Sequence, residues 1–235
     1  MKIEILYPSC ANLYGEATAV AYMRQCLPEA EFVFTELNDV PSFASEKVDL
    51  VFMGGMTEDT QELVIEKLLP YKERMVELID QDVVFLMGSN ALEIFGQYIE
   101  KEDGSKINAL GLFDTYVKRN MAMRFNSLAL CEMDGIKVLG YKSQFSQCYG
   151  DFNADGWMKV LRGAGLNPQA TVEGLRRRNF MATYLLGPLT IMNPDFMKYL
   201  MQLMGVSQPK LAHEDAMYEA YKKRLAEFED ANTKY

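Results

Sequence analysis

Apolar residues in the first hundred positions recur in two alternating patterns, one typical of buried strands and one of amphipathic helices. Short apolar runs predict strands in four places: 2–7, 31–37, 48–53 and 83–87. Helical spacing predicts helices over 14–26, 58–81 and 91–95, the second of them kinked or split by Pro70. Strands that alternate with helices predict an α/β fold with a mostly parallel sheet covered on both faces.

The second half of the chain follows a different pattern. Short strand-like stretches separated by turns predict an antiparallel extension of the sheet: 110–113, 121–130 and 136–141. Residues 151–165, rich in Gly and Asn, predict a loop with room for one short strand. A further strand is predicted over 182–189, and two helices over 193–204 and 213–229.

Length and composition fit one domain over residues 1–235 with one sizeable core. Lys and Arg number 24 against 33 Asp and Glu, which argues against a nucleic-acid partner because phosphate binding draws on clustered positive charge. No stretch approaches the ~20 apolar residues of a membrane span, and Glu4 interrupts what would have to be a signal core. We therefore expect a cytoplasmic protein.

Few residues are available for histidine or cysteine chemistry. His213 is the one histidine, at the head of the last predicted helix, where a surface or capping role is expected. The four cysteines lie far apart without a C-x-x-C pair, so we expect buried, reduced thiols: Cys10, Cys26, Cys131 and Cys148. We expect neither a metal nor a cofactor.

An ordered series of short motifs carries a resemblance to a known family. The series comprises Asn12-Leu13-Tyr14, Asp49 to Gly55 followed by Glu58-Asp59 and Gln61, Ala109 to Asp114, Glu173-Gly174, Ala182 to Leu189, and Asn193-Pro194. In this order it resembles the CobB/CobQ-like class I glutamine amidotransferases, and most of all the glutaminase subunits of lipid II isoglutaminyl synthases, over nearly the whole chain. The resemblance implies a three-layer, flavodoxin-like fold, mostly parallel with an antiparallel extension.

The resemblance also implies a nucleophile on a tight strand-to-helix turn, which is a cysteine in the family motif Ile-Cys-Gly-Gly-Tyr-Gln. Counting back from Gly96 places Ser89 at the cysteine and Asn90 and Ala91 at the two glycines. A shift of one residue would place Gly88 there and leave no nucleophile.

The family's general base is the histidine of Gly-Thr-Tyr-Leu-His-Gly-Pro-Leu, and here Leu186 stands at that position. An alkyl chain can neither activate a thiol or hydroxyl nor protonate ammonia. The family's Gly-Phe-Glu-x-His stretch has also changed, to Gly140-Tyr141-Lys142-Ser143-Gln144, so we expect three departures in one pocket.

Other family positions are kept. Arg124 matches the arginine that holds the glutamine carboxylate in the family, although a solvent-facing arginine at a strand edge explains it equally well. Gly54 and Gly55 match glycines that line the oxyanion side, and a Gly pair after a strand is also an ordinary tight turn.

These departures favour a catalytically silent subunit, a pseudoenzyme that binds a partner or a small carboxylated ligand such as glutamine. One alternative is an active glutaminase or serine hydrolase that uses Ser89, with His213 or Glu93 as base. Another is a glutaminase with Cys148 or Cys10 as a displaced nucleophile. The resemblance implies a Mur-ligase-like or other synthetase subunit as partner, in peptidoglycan synthesis within cell-wall biogenesis or in cobalamin biosynthesis.

Overall fold

The computed structural model describes residues 1–235 and contains two β-sheets with helices packed around the larger one. The strands are β1 (Lys2–Leu6), β2 (Glu31–Thr35), β3 (Leu50–Met53), β4 (Val84–Gly88), β5 (Tyr98–Glu100), β6 (Lys106–Asn108), β7 (Thr115–Arg119), β8 (Phe125–Met133), β9 (Ile136–Gln144), β10 (Ser146–Gly150), β11 (Gly156–Gly163), β12 (Val172–Arg177) and β13 (Phe180–Thr183).

The helices are α1 (Glu16–Cys26), α2 (Glu58–Leu68), α3 (Lys72–Asp80), α4 (Leu189–Met192), α5 (Pro194–Leu203) and α6 (Glu214–Glu229). Short 3-10 helices cover Ser42–Ala44, Leu69–Tyr71 and Ser89–Phe95. The predicted helix over 58–81 is split by Pro70 into α2 and α3, as expected. No helix combines the length and the uninterrupted apolar character that crossing a bilayer requires.

The large sheet has the order β2-β1-β3-β4-β13-β12-β11-β8-β9. Its first five strands are parallel, and from β13 through β9 each neighbour is antiparallel. This confirms the predicted α/β fold, with a parallel sheet and an antiparallel extension.

Helices cover the two faces of this sheet and make three layers. One face packs against α2 and α3, through Val64, Leu68, Leu78 and other residues of a 31-residue core cluster. The opposite face packs against α1 and α5, within a cluster of 24 buried residues. Both faces of the central strands are therefore apolar, which explains their continuous hydrophobic runs.

Three sequence predictions of local structure were wrong. Residues 110–113 form no strand, because their backbone amides bond to carbonyls of the 89–96 segment instead. The predicted loop over 151–165 contains the eight-residue strand β11, which pairs with β8 through a register shift between Val160 and Arg162. The strand predicted over 182–189 begins at Phe180 and ends at Thr183, where the chain leaves the sheet for the site.

The second sheet, in the order β10-β7-β5-β6, was not predicted as a separate unit. Its strands β5 and β6 are only three residues long, too short to show a period in the sequence. Three tyrosines stack across it, with ring centroids 5.3 Å apart for Tyr98 and Tyr116 and 5.7 Å for Tyr116 and Tyr149. Its strand β7 supplies Arg119, which reaches toward the site described next.

Candidate functional site

Ser89 occupies a strained turn at the carboxyl end of a central strand. It follows β4 directly, opens the 3-10 helix Ser89–Phe95 and has φ of 57°. A non-glycine residue in this left-handed region is uncommon and costs of the order of 1 kcal/mol or more, so the surrounding structure must hold it there. The turn has the shape of the sharp strand-to-helix elbow on which hydrolases present a nucleophile.

Gly55 packs directly against Ser89. A Cβ added at Gly55 would lie 2.9 Å from the Ser89 Cβ and 3.0 Å from its Oγ, so glycine is needed for this close approach. Gly54 lies against α1 instead, where a Cβ would meet the Glu16 side chain at 2.4 Å. The two glycines thus touch different neighbours, and Gly55 alone borders the serine.

Two backbone amides of the loop after β3, beside Ser89, already have hydrogen-bond acceptors. The N–H of Gly55 donates to Oε1 of Glu16 at 2.8 Å. The N–H of Met56 donates to Oδ1 of Asn90 at 3.0 Å, and Asn90 Nδ2 donates back to the Met56 carbonyl at 2.8 Å. Neither N–H is free to stabilise an oxyanion, because each is already paired with a side-chain oxygen.

A cavity of about 180 Å³ lies beside Ser89. It is lined by Leu13, Tyr14, Met56, Thr57, Glu58, Ser89, Asn90, Glu93, Arg124, Ser143, Gln144 and Phe145. The structure therefore places Arg124 and Ser89, two residues predicted for the site, on one cavity. A cavity of this size has room for several water molecules or a small ligand.

Arg124 is exposed to solvent and is held by two contacts. Its Nη1 donates to Oγ of Ser143 at 3.2 Å, and its guanidinium lies 4.4 Å from the ring centroid of Phe145. No carboxylate pairs with it among the ion pairs of the chain. The planar fork is thus free to accept a carboxylate.

Glu93 forms the buried end of the same cavity. Gln61 Nε2 donates to its Oε2 at 3.0 Å, and the Tyr184 hydroxyl lies 3.2 Å from its Oε1. Burial raises the pKa of the Glu93 carboxyl to about 7, against the opposing effects of the Gln61 hydrogen bond and the Arg119 charge. Both oxygens are therefore held by groups other than Ser89.

Leu186, which the resemblance places at the base position, does not line the Ser89 cavity. It lies in the loop after β13, where its N–H donates to the Tyr141 carbonyl at 2.8 Å. Its side chain is buried beside a separate space of about 40 Å³, which shares Tyr14 with the Ser89 cavity. The three sequence departures thus lie around two adjacent spaces that share Tyr14.

Lys142, within the altered 140–144 stretch, belongs to neither space. Its side chain and that of Glu173 are fully buried and form an ion pair at 2.8 Å. Lys142 Nζ also donates to the carbonyl of Gly165, and Glu173 accepts from Tyr184 N at 2.8 Å and Thr183 Oγ1 at 3.0 Å. The pair joins β9, β12 and the segment after β13 beneath the site.

The remaining candidates lie elsewhere. His213 is exposed at the start of α6 and makes no side-chain cap, as expected for a surface residue. Cys148 is buried on β10, where burial raises the pKa of its thiol to about 12, and burial also raises the pKa of Cys10. Neither cysteine lines the Ser89 cavity. No three His, Cys, Asp or Glu side chains converge as a metal site.

Sequence reasoning missed Glu16 and Gln144 as parts of the site. Glu16 resembles an ordinary acidic residue in a first helical turn, and only the fold shows that its carboxylate bonds the amides of Tyr14 and Gly55. Gln144 was noted as the end of an altered motif, but its burial depends on the turn between β9 and β10. The usable signal was its position two residues after Lys142, since residues two apart on a strand face the same side of the sheet.

Comparisons with known proteins agree with this architecture. Residues 2–193 match the CobB/CobQ-like glutamine amidotransferase domain. The chain is 25% identical over 193 residues, 81% of this chain and 79% of the relative, to the lipid II isoglutaminyl synthase (glutamine-hydrolyzing) subunit GatD of Staphylococcus aureus strain N315.

Solved structures show the same fold at low sequence identity. A chain of PurLQS from Thermotoga maritima superposes with a TM-score of 0.54 at 11% identity, covering 95% of this chain and 98% of that one. A glutamine amidotransferase structure gives 0.55 at 10% identity over 86% and 99% of the two chains. The match to the family domain extends over most of the sequence, and the chain belongs to the CobB/CobQ-like glutamine amidotransferase family.

Proposed function

We propose that this protein is a glutamine amidotransferase-like subunit that does not hydrolyse glutamine, and that it binds a small carboxylated ligand beside Ser89 and associates with a synthetase partner. The observation that carries the proposal is the pair of occupied amides in the loop after β3, beside Ser89. Glu16 accepts from Gly55 N–H and Asn90 accepts from Met56 N–H.

Amide hydrolysis at this turn would need an activated nucleophile, a base and donors for the oxyanion. Ser89 is poorly nucleophilic without a base. Leu186 supplies none, and His213 lies at the start of α6 outside the cavity. The missing histidine leaves Ser89 unactivated, and Glu16 and Asn90 occupy two nearby amides, so two independent features support silence.

Ligand binding is supported by what the cavity keeps. Arg124 has no acidic partner, is stacked on Phe145 and borders the same space as Ser89. A guanidinium held in this way loses little conformational freedom on binding a carboxylate. We infer that a small carboxylate occupies the cavity with its charged end at Arg124.

A partner is supported by the similarity to GatD, which is a subunit of lipid II isoglutaminyl synthase. We infer association with a Mur-ligase-like or other amide-forming synthetase in cell-wall synthesis; a cobalamin context is the alternative. Purification of the native complex, with mass-spectrometric identification of stoichiometric partners, tests this part. A preparation that elutes alone at native concentration contradicts it.

The hydrolysis part is tested by ammonia release from glutamine, measured by coupled glutamate dehydrogenase, with and without the co-purified partner. We expect the same background rate for the wild type and for Ser89→Ala. Ser143→Ala, which alters another hydroxyl on the same cavity, is the matched control. Release above background that Ser89→Ala abolishes and Ser143→Ala preserves would refute silence.

A second candidate, a serine hydrolase using Ser89, is favoured by one observation. The strained φ of 57° at Ser89 is the backbone geometry of a nucleophile elbow, and Glu93 with a pKa of about 7 lines the same cavity. A fluorophosphonate probe distinguishes the two candidates. Labelling that is lost in Ser89→Ala but kept in Ser143→Ala supports the hydrolase, and the silent subunit predicts no labelling.

A further inference from the structure

The inner end of the Ser89 cavity has a hydrogen-bond acceptor without a donor. Gln144 is 5% exposed and lines the cavity. Its Nε2 donates to the Ser146 carbonyl at 2.5 Å, which leaves Oε1 as the acceptor, and that atom has no partner. A buried acceptor left unpaired costs about 1–3 kcal/mol, so a ligand that donates to it is favoured.

Glu93 adds further acceptor capacity at the same end. It is 1% exposed and receives hydrogen bonds from Gln61 and Tyr184, two neutral groups. The nearest cation, Arg119, bonds to Gln61 Oε1 at 2.5 Å and not to the carboxyl of Glu93. The carboxylate form of Glu93 therefore has no direct cationic partner inside the protein.

The same lining also carries a positive charge. Arg124 presents an unpaired guanidinium, while Glu58 on the lining disfavours a second carboxylate on the ligand. The lining therefore combines one unpaired, exposed cation with two buried acceptors. This arrangement complements a molecule with a carboxylate on one end and donors on the other.

We propose that the cavity selects an ω-amino carboxylate, whose carboxylate lies at Arg124 and whose protonated amine lies between Glu93 and Gln144 Oε1. The proposal rests on the proposed function and names the ligand class of that same site. An ammonium group has three donors and no acceptor, so it satisfies both residues. A primary amide would bring its own carbonyl oxygen to an end that is already rich in acceptors.

The selection depends on pH through Glu93. Five groups face Glu93: Gln61 from α2, Arg119 from β7, Ser146 and Cys148 from β10, and Tyr184 after β13. The Lys142–Glu173 ion pair lies behind Tyr184. Two further charged residues, Glu58 and Arg124, line the cavity. Burial raises the pKa of both Tyr184 and Cys148, so these two stay neutral from pH 6 to 8. Glu93 changes charge within that interval, and its ionised form binds the amine.

Isothermal titration of the full-length protein tests the proposal with three probes of one chain length: 5-aminopentanoate, its amide counterpart glutaramate, and pentanoate. We expect 5-aminopentanoate to bind most tightly at pH 8. Its association constant should rise about tenfold from pH 6 to 8, because the ionised fraction of a group titrating near 7 rises by that factor. Pentanoate should show no such rise.

Variants separate the contributions. Glu93→Gln should abolish the pH dependence and the preference for the amine over the amide. Glu66→Gln, which removes an exposed acid of α2, should change neither. Gln144→Leu should weaken amine binding about ten- to hundredfold, the loss of one hydrogen bond from a charged donor, while the pH dependence remains.

Two outcomes overturn the proposal in distinguishable ways. If glutaramate binds as tightly as 5-aminopentanoate at pH 8, or if Glu93→Gln keeps the tenfold rise, the amine selection is wrong. The carboxylate site stands in that case, provided Arg124→Leu weakens every probe. If no probe binds, either by titration or by saturation-transfer NMR of the unmodified protein, both the selection and the carboxylate site are refuted.

Discussion

Replacing Lys142 by Met should destabilise the protein strongly, because it leaves the Glu173 carboxylate buried without its cation. The side chains of both residues are fully buried, and their ion pair measures 2.8 Å. Lys142 also donates to the carbonyl of Gly165. Removing one partner of such a pair costs about 3–5 kcal/mol, far more than breaking a surface pair.

The expected magnitude can be converted into a melting shift. For domains of 150–250 residues, 1 kcal/mol corresponds to roughly 2–4 °C, so Lys142→Met should lower Tm by about 6–20 °C. The double variant Lys142→Met/Glu173→Gln should recover most of the loss, since glutamine can still accept from Thr183 and Tyr184 without a buried charge. Urea unfolding of wild type, both singles and the double gives the coupling energy.

Surface pairs provide the control. Arg178→Met removes the pair with Asp82, in which both side chains are about half exposed, and should cost less than 1 kcal/mol. If Lys142→Met costs as little as this control, or if the double variant is as unstable as the single, the buried pair is not the stabilising element described above.

Three further predictions concern the site. The folded pKa of Glu93 lies above its unfolded value of 4.5, so between pH 4.5 and 7 the native state keeps a proton on Glu93 that the unfolded state has released. Protonation of Glu93 therefore stabilises the native state at low pH, and this contribution to the unfolding free energy is lost as the pH rises through 7. Relative to Glu93→Gln, the wild type should therefore lose about 2–3 kcal/mol of unfolding free energy from pH 5 to 8 in urea titrations, and a constant difference would contradict this assignment. Ser89→Gly should raise the unfolding free energy by about 1 kcal/mol, since glycine accepts a φ of 57° without strain; a loss of stability would show that the hydroxyl makes a stabilising contact instead. With Ellman's reagent, the native protein should expose one fast thiol, that of the half-buried Cys10, while three buried cysteines react only on unfolding: Cys26, Cys131 and Cys148. Rapid modification of a second thiol would contradict the described burial.

The sequence predicted the parallel half of the fold well because its signals are local. Apolar runs of four to six residues and helical spacing over α1 and α2 do not depend on distant partners. β11 was missed because its exposed Leu161 and half-buried Arg162 break the apolar–polar alternation in the sequence, although the burial of the strand itself alternates. Residues 110–113 have strand composition but bond to a 3-10 turn, a contact that no local pattern indicates.

The site was predicted only where a motif supplied a position. Ser89 was assigned by counting from Gly96, and the structure places it on a strained turn beside Gly55. The occupied amides could not be predicted, since Glu16 and Asn90 reach them through tertiary packing across tens of residues. The separation of Leu186 from the Ser89 cavity likewise depends on its backbone pairing with Tyr141.

The parallel pairing of β4 with β13 sets Gly88 opposite Thr183, one residue before Ser89 and three before Leu186. The two loops that the family resemblance connects with catalysis therefore start from a fixed relative position that depends on main-chain hydrogen bonds and not on loop side chains. Substitutions at Ser89 and Leu186 would change the stability of the loops without changing which strand residues are paired. A designer could accordingly treat the two loops as interchangeable inserts on an unchanged scaffold, provided that Glu16 and Asn90 are changed along with them.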